Sequence, residues 1–250
     1  MKKESYTPGH STNATTFMAQ RSFESHGQFF DSYIQPGLSV LDCGCGPGSI
    51  TFGLARRAAP GLVVGVDRGE SQITQANIAS HDLLISNVKF HTADCYSLPF
   101  EADKFDRAFA HALLEHLSEP IQALTEIHRV LKPAGLIGVC SPDWGGFILA
   151  PPSAELRSAV TAYQNLQMKN GGDVEVGRKL GKHLSAAGFK VIQMSARYEC
   201  YSSLEFIGEY LAIQIERSGD EGSARTFRSW SKDSSGMFAQ AWVSAVGQKA

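Results

Sequence analysis

Short apolar runs alternate with amphipathic segments over residues 39–140. The apolar runs predict five β-strands, at residues 39–43, 62–66, 88–93, 105–110 and 136–140. Apolar residues at helical spacing predict helices at residues 50–58, 71–80 and 118–131. Because strands that alternate with helices imply right-handed crossovers, the pattern is typical of an α/β fold with a doubly wound, mostly parallel sheet.

The alternation lapses after residue 141. Residues 142–180 show no regular pattern, which indicates an insertion or a small cap. Beyond them, residues 181–187 predict a helix and residues 189–194 predict a sixth strand. Residues 238–246 fit either a helix or the last strand of the sheet.

The whole chain is expected to form one domain around a core at residues 38–140. Residues 16–33 carry phenylalanines at loose helical spacing before Pro36-Gly37, which predicts an N-terminal helix. This helix belongs to a lid at residues 1–37. Residues 141–235 form the cap.

Composition and charge narrow the class of protein. The 250 residues are 43% hydrophobic, which is enough apolar material for one substantial core. With 23 Lys and Arg against 25 Asp and Glu, and no basic stripe, a nucleic-acid partner is not expected. The chain has no long apolar run and begins with a polar segment, so we expect a cytoplasmic protein without a membrane partner. The oligomeric state stays open, a homodimer being one alternative.

The cysteines do not indicate a disulfide framework or a metal site. They form an odd, sparse set, and reduced thiols are the default for such a set: Cys43, Cys45, Cys95, Cys140 and Cys200. Cys43 and Cys45 make a C-x-C pair, but no second Cys or His cluster follows at zinc-site spacing. We therefore expect no metal ion.

A glycine turn follows the first predicted strand, with Gly44, Gly46 and Gly48. Residues without Cβ at the carboxyl end of a parallel strand let a nucleotide-type ligand approach the backbone. Ser49 stands where a dinucleotide-binding turn would have its third glycine, which argues against a pyrophosphate-bearing coenzyme. Asp67 ends the second strand 23 residues after Gly44, where a carboxylate can accept hydrogen bonds from a ribose diol.

At this point the sequence resembles the class I S-adenosylmethionine (SAM) dependent methyltransferases, which have a Rossmann-like fold. It is most similar to their small-molecule branch, typified by the ubiquinone and menaquinone biosynthesis C-methyltransferases. The similar segments are residues 40–48 with the glycine turn, 64–67 at the ribose strand, 93–100 beside the adenine, 105–106 in the fourth strand and 129–135 before the fifth. The chain departs from the family at Ala134, where a glycine is usual.

The resemblance implies a SAM site and assigns residues to the methionine and ribose parts of the cofactor. Gly44, Cys45 and Gly46 would border the methionine part, and Asp67 would accept hydrogen bonds from the ribose hydroxyls. Arg21 would reach the cofactor carboxylate, a pairing that suits a guanidinium fork.

The same resemblance places residues around the adenine and the sulfonium. Asp94 would accept from the adenine amino group, with Ala93 and Cys95 beside the ring and Arg68 flanking it. His111, directly after the fourth strand, would lie near the sulfonium.

Three aspartates of this set have a second interpretation. Asp42, which ends the first strand, either contributes to the SAM site or caps the helix that follows. Asp67 and Asp94 are also suited to capping.

Methyl transfer from a sulfonium is an in-line displacement, so the protein must mainly align the acceptor and exclude water. A hydroxyl or carbon acceptor also needs a base, whereas an unprotonated amine needs only positioning. The candidate catalytic residues are His111, His116 and Asp143. His111 is a histidine that titrates near neutral pH, His116 is alternatively a packing residue, and Asp143 alternatively caps a turn.

Aromatic residues outside the core segment suggest an apolar pocket for the acceptor, although many such residues are ordinary core. The candidate substrate-binding residues are Tyr6, Phe17, Trp144, Tyr163 and Tyr201, with Phe147, Tyr198, Tyr210 and Trp230 as further aromatic candidates. Tyr6 and Phe17 would fold over the site as part of the lid.

The sequence therefore predicts a SAM-dependent methyltransferase that acts on a small, apolar or aromatic metabolite. Two alternatives stay open. The first is a SAM-binding or sensing protein that does not transfer the methyl group. The second is a nicotinamide-dependent oxidoreductase, which would bind NAD in preference to SAM.

Overall fold

The computed structural model describes residues 4–9, 12–201 and 203–250. At its centre is one sheet with these strands: β1 Val40–Cys43, β2 Val63–Asp67, β3 Val88–Thr92, β4 Phe105–His111, β5 Leu131–Ala150, β6 Phe189–Cys200 and β7 Met237–Lys249. The order across the sheet is β3-β2-β1-β4-β5-β7-β6. The first five strands run parallel, and β7 is antiparallel to both β5 and β6. This confirms the predicted doubly wound, mostly parallel α/β sheet.

The helices that flank the sheet are α1 Thr12–Ala19, α2 Ser49–Ala58, α3 Glu70–Asp82, α4 Pro120–Val130, α5 Ala154–Lys169, α6 Val176–Ala186, α7 Leu204–Arg217 and α8 Glu221–Trp230. The apolar positions that predicted α2 are its buried face: Ile50, Leu54, Ala55 and Ala58. In α4, Pro120 occupies the first turn, where the backbone N–H that proline lacks would have no hydrogen-bond partner within the helix. These helices hold the turns at the carboxyl ends of β1, β2 and β4.

The predicted N-terminal helix over residues 16–33 is wrong as a single element. Helix α1 ends at Ala19, and the backbone at Ser22 is extended. The Ser22 hydroxyl accepts a hydrogen bond from Ser25 N, which starts a new element. A π-helical turn, Phe23–Gly27, and a 3₁₀ helix, Gln28–Tyr33, follow. The change of helix type brings His26 and Phe30 against the sheet.

The prediction of an irregular insertion at residues 142–180 is wrong for its first part. β5 continues to Ala150 and pairs with β7 beyond a register irregularity between Asp143 and Ile148. Residues 237–249 form the last strand, which resolves the open alternative at residues 238–246. The long antiparallel ladder of β5, β7 and β6 thus carries the sheet into the cap.

The cap has an apolar cluster of its own, built mainly from α5, α7 and α8. Ala14 and Phe17 of α1 join this cluster, so the N-terminal helix packs on the cap. The site described next lies between this cluster and the carboxyl ends of the parallel strands.

Candidate active site

A cavity opens at the carboxyl ends of β1, β2 and β4. It measures about 1080 Å³, counted with its open mouth. All residues predicted to bind the cofactor line it: Arg21, Asp42, Gly44, Cys45, Gly46, Asp67, Arg68, Ala93, Asp94, Cys95 and His111. The structure thus brings together residues from separate segments of the chain. We call this space the first cavity.

The glycine turn forms one wall of the first cavity. Gly44, Gly46 and Gly48 have φ angles of 77°, 53° and 84°, in the left-handed region that favours glycine. Gly46 N donates to Asp67 Oδ2 at 3.0 Å, and Gly69 N donates to Asp67 Oδ1 at 2.8 Å. These two bonds fix the Asp67 carboxylate, and its other lone pairs stay available to a ligand.

Asp42 and Asp94 also hold local structure. Asp42 is buried and accepts a hydrogen bond from Thr51 Oγ1 at 2.6 Å. It does not cap α2, whose N-cap is Gly48 without a side-chain bond. Burial raises the pKa of Asp42 to about 7. Asp94 Oδ1 accepts from Tyr96 N at 2.9 Å, which tightens the turn after β3.

The two arginines of the first cavity differ in their partners. The Arg21 guanidinium lies 5.3 Å from the Phe17 ring centroid and 5.2 Å from that of Trp242. Within the described residues no carboxylate pairs with Arg21. Arg68 Nη1, in contrast, lies 3.5 Å from Glu4 Oε2.

His111 is buried between aromatic rings. Its ring stacks on Trp242 with centroids 4.8 Å apart and meets the edge of His26 at 5.1 Å. In the described part of the chain neither ring nitrogen has a hydrogen-bond partner. Desolvation holds the pKa of His111 well below its usual 6.5, so the expectation that it titrates near neutral pH is wrong.

His116 is likewise an uncharged histidine, and its side chain is 12% exposed. Its ring meets Tyr6 edge-on at 4.7 Å, and Nε2 lies 3.8 Å from Glu115 Oε1. Desolvation lowers the pKa of His116 to about 3. A base that weak does not take a proton near neutral pH, which favours the packing interpretation of His116.

Asp143 does not line a cavity, and the structure corrects its candidate role as a base. Arg178 Nε and Nη2 donate to the two carboxylate oxygens at 2.8 and 2.7 Å. Gly145 N and Arg178 N donate to the same carboxylate. Burial opposes ionisation, but the Arg178 hydrogen bonds hold the pKa of Asp143 below its usual value. Asp143 therefore forms a structural ion pair between β5 and α6.

A second cavity of about 550 Å³ adjoins the first, and many of its lining residues are aromatic. All residues predicted to bind the acceptor line it: Tyr6, Phe17, Trp144, Tyr163 and Tyr201. Tyr210 also lines it, whereas Phe147, Tyr198 and Trp230 do not. Tyr198 is exposed, and the Trp230 indole donates to Ala150 O at 3.1 Å.

The two cavities share part of their walls. The residues that line both are Tyr6, Met18, Arg21, Ala112 and His116. A ligand in the first cavity and a ligand in the second would therefore lie next to each other beside these shared residues.

Residues 4–9, which we call the strap, cross both cavities. Glu4 Oε1 accepts from Ser118 N at 2.6 Å and from Ser118 Oγ at 2.8 Å, and it also bonds to the Tyr96 hydroxyl. The helix predicted over residues 118–131 begins later, since α4 starts at Pro120, and Ser118 holds the strap instead. At the other end, Asn170 Nδ2 donates to Thr7 Oγ1 at 3.0 Å. The strap thus spans from the parallel sheet to the cap.

Glu115 and Trp242 are residues of the second cavity that the sequence analysis missed. Glu115 is buried, and burial raises its pKa to about 7. A signal for Glu115 was present, since a charged residue interrupts the apolar run at residues 112–117. No local signal pointed to Trp242, which reaches the cavity from β7.

Two general properties of the described residues bear on function. No helix among residues 4–9, 12–201 and 203–250 is long and apolar enough to cross a bilayer. Within the same ranges, no group of three or more His, Cys, Asp or Glu residues is arranged to hold a metal ion.

The comparisons with known sequences agree on one protein family. Residues 34–195 match the family described as methyltransferase domain. An uncharacterized methyltransferase of Schizosaccharomyces pombe is 27% identical over 244 residues, which cover 88% of this chain and 87% of that protein. The demethylmenaquinone methyltransferase of Lactococcus lactis is 36% identical over 105 residues, or 42% of this chain and 41% of that enzyme.

An uncharacterized 37.1 kDa protein of a Streptomyces fradiae transposon is 34% identical over 158 residues, or 63% of this chain. The match spans only 45% of that protein. Among solved structures, a complex between the Haloferax volcanii Trm112 methyltransferase activator and a putative methyltransferase matches with a TM-score of 0.65. The identity is 16%, and 99% of each chain is covered, so this likeness concerns the fold alone.

Proposed function

The chain belongs to the class I methyltransferase family, and from this premise we propose that it transfers the methyl group of SAM to a small aromatic or apolar metabolite. One observation carries the proposal. The residues that the family motifs assign to the cofactor come from separate segments of the chain, and all of them line the first cavity. An unrelated arrangement of capping residues would not need to converge on one space.

The charge of the first cavity supports a sulfonium ligand. Three acidic residues with negative charge line it, namely Glu4, Asp67 and Asp94, together with Asp42, which is only partly ionised because burial raises its pKa to about 7; two arginines face them. Arg68 is already paired with Glu4. A pyrophosphate would meet repulsion from this wall, whereas a positively charged sulfonium would be attracted to it. This favours SAM over NAD.

The polar groups of the cavity fit the parts of SAM. The unpaired Arg21 guanidinium would hold the carboxylate, and the fixed Asp67 carboxylate would accept from the ribose hydroxyls. Asp94 and Cys95 would face the adenine. His111 has two unpartnered nitrogens in the wall of this cavity, which a ligand would satisfy.

Bound SAM supplies an electrophilic methyl group. The chain would supply alignment, since the two cavities share part of their walls and an acceptor in the second cavity would lie next to a cofactor in the first. The strap covers this junction and helps to exclude water. Aromatic walls suit a planar acceptor, and the Lactococcus relative is named for the methylation of demethylmenaquinone.

Calorimetry with S-adenosylhomocysteine, SAM and NAD tests the cofactor. We expect heat with the first two and none with NAD. The Asp67→Asn variant keeps the shape of the side chain but weakens its acceptor strength, so we expect affinity for S-adenosylhomocysteine to fall about tenfold or more. The matched control is Asp82→Asn, at an exposed aspartate at the end of α3, which should bind normally. Normal binding by Asp67→Asn would refute the ribose assignment.

Transfer itself needs a separate experiment, because a SAM-sensing protein would pass the binding test. The protein is incubated with methyl-labelled SAM and a metabolite extract, and small-molecule products are separated. A labelled product that depends on the protein supports the enzyme. Retention of label on the protein without a labelled product would support the sensing alternative.

A further inference from the structure

Glu115 is a buried carboxylate in the wall of the second cavity. The residue is 3% exposed, and Ser141 Oγ donates to Oε2 at 3.0 Å. The other oxygen, Oε1, lies 3.8 Å from His116 Nε2, which is beyond hydrogen-bond distance. His116 is uncharged, so among the described residues no cation neutralises this carboxylate in an ion pair.

The backbone at Glu115 is held in place. Its carbonyl oxygen accepts from Gln167 Nε2 and from Asp173 N, both at 3.0 Å. These bonds tie the turn after β4 to the end of α5 and to the segment that follows. The carboxylate therefore stays in the cavity wall and cannot swing into bulk water.

Trp242 presents an unused hydrogen-bond donor in the same cavity. The residue is 2% exposed, and its indole Nε1 has no acceptor within the part of the chain that the structure describes. An indole N–H can only donate, and leaving it unpaired costs about 1 to 3 kcal/mol. A ligand oxygen would satisfy it. An ammonium group would not, because an ammonium has no lone pair to offer.

The other titratable groups of the second cavity are unsuited to taking up a proton near neutral pH. The pKa of His116 is lowered by desolvation, and those of Tyr6, Tyr163, Tyr201 and Tyr210 are raised by burial. Glu115 is the exception, with a pKa of about 7. The charged or titratable groups that act on it are Arg21, His116, Tyr6, Tyr210 and Cys140.

We propose that the methyl acceptor is an acidic hydroxyl compound, a phenol or an enol, whose oxygen accepts from Trp242 Nε1 and whose proton passes to Glu115. This inference rests on the proposed methyltransferase function. It names the substrate class by two lining residues of the second cavity: Trp242, whose N–H has no acceptor among the described residues, and Glu115, whose carboxylate can take up a proton.

The step balances without a further reactant. The O–H bond of the acceptor breaks, and its proton goes to a carboxylate oxygen of Glu115. The electron pair on the acceptor oxygen forms the new bond to the methyl carbon, and the carbon–sulfur bond breaks with its pair left on sulfur. Glu115 then returns its proton to water when the products leave.

Binding of three probes to the protein saturated with S-adenosylhomocysteine tests the substrate class. The probes are 4-nitrophenol, its methyl ether 4-nitroanisole, and benzyltrimethylammonium. Quenching of tryptophan fluorescence reports binding, since Trp144 and Trp242 line the cavity. We expect 4-nitrophenol to bind about tenfold more tightly than 4-nitroanisole, and benzyltrimethylammonium to bind most weakly.

Two variants separate the two contacts. Glu115→Gln keeps an acceptor for Ser141 but cannot take up a proton. It should therefore weaken the binding of 4-nitrophenol about tenfold and leave the binding of 4-nitroanisole unchanged. Trp242→Phe keeps an aromatic ring but removes the N–H, so it should weaken the binding of both 4-nitrophenol and 4-nitroanisole about fivefold. Trp230→Phe is the control, since Trp230 lies outside the second cavity, and it should change neither by more than about twofold.

The pH dependence distinguishes proton uptake from a structural role of Glu115. The pH series uses 4-methylphenol, which stays a neutral phenol over this range, whereas 4-nitrophenol would itself ionise. Because an ionised carboxylate makes the stronger hydrogen bond, affinity of the unmodified protein for 4-methylphenol should rise about fivefold between pH 5 and pH 8, with a midpoint near 7. In Glu115→Gln this rise should be absent. A rise that persists in the variant overturns the assignment.

The outcomes also separate this inference from the proposed function. Preference for benzyltrimethylammonium, or failure of 4-nitrophenol to bind while S-adenosylhomocysteine binds normally, overturns the substrate class and leaves the methyltransferase proposal intact. Failure of S-adenosylhomocysteine to bind overturns the proposed function itself.

Discussion

Asp42 shows how a single side chain couples the cofactor site to folding. It ends β1 with its carboxylate buried against Thr51 Oγ1, and no basic residue pairs with it in the described chain. Burial raises its pKa from 3.8 to about 7. The folded protein therefore holds the Asp42 proton more tightly than the unfolded chain does.

The raised pKa of Asp42 sets the direction in which pH changes the stability of the protein. The contribution of Asp42 to stability is complete below pH 4 and is lost as the pH rises through about 7. Asp42→Asn removes the buried charge and keeps an acceptor for Thr51. We expect it to raise the free energy of unfolding by about 1 to 3 kcal/mol at pH 8 and to have little effect at pH 4. Denaturant unfolding at the two pH values checks this. A gain of equal size at both would contradict it.

At the scale of elements, the sequence predicted the strands and helices whose residue pattern can be recognised within the element itself. The strands of the parallel core end at polar residues, and α2 shows its buried face in its own spacing. The cofactor residues were found for the same reason, because Gly44 and Asp67 stand at strand ends that must meet at one edge of the sheet.

The elements that escaped prediction depend on distant partners. β5 continues to Ala150 because β7, nearly a hundred residues later, pairs with it. Asp143 looked like a base because its partner Arg178 lies 35 residues away in the chain. Trp242 reaches the second cavity only through that same ladder, and the break at Ser22 depends on a cap that interrupts an otherwise helical pattern.

The strap is an element that one carboxylate, Glu4, anchors at Ser118. At Glu4, burial opposes ionisation, but hydrogen bonds from Tyr96 and Ser118 hold the pKa below its usual value. The depressed pKa means that the strap is held above the ordinary pKa of a glutamate and released as the pH falls through the lower one. The strap covers the Arg68 end of the first cavity.

We expect Glu4→Ala to speed the dissociation of S-adenosylhomocysteine about tenfold, because the strap then loses its anchor on Ser118. Stopped-flow displacement measures the rate. Glu24→Ala, at an exposed glutamate of the π-helical turn, serves as control and should dissociate at the normal rate. If the two variants dissociate at the same rate, the strap does not hold the cofactor.

At the scale of the whole molecule, one continuous sheet runs through the core and the cap. β5 and β7 run from the parallel sheet into the cap, and the Asp143–Arg178 pair ties β5 to α6. The three tryptophans all lie in the second half of the chain, at positions 144, 230 and 242. Their fluorescence therefore reports on the cap and its ladder, whereas far-ultraviolet circular dichroism reports on the whole fold.

We expect urea unfolding followed by tryptophan fluorescence and by circular dichroism to give coincident transitions, since a continuous sheet should lose both parts together. An earlier fluorescence transition would show that the cap unfolds as a separate unit. It would then contradict the expectation of a single domain at residues 1–250.

The strap lies over both cavities, with Glu4 and Tyr6 in the wall of the first and Tyr6 and Pro8 in the wall of the second. Because one segment covers both spaces, we expect its opening to limit the departure of the spent nucleoside and of the methylated product alike, with the same ceiling on turnover for different acceptors.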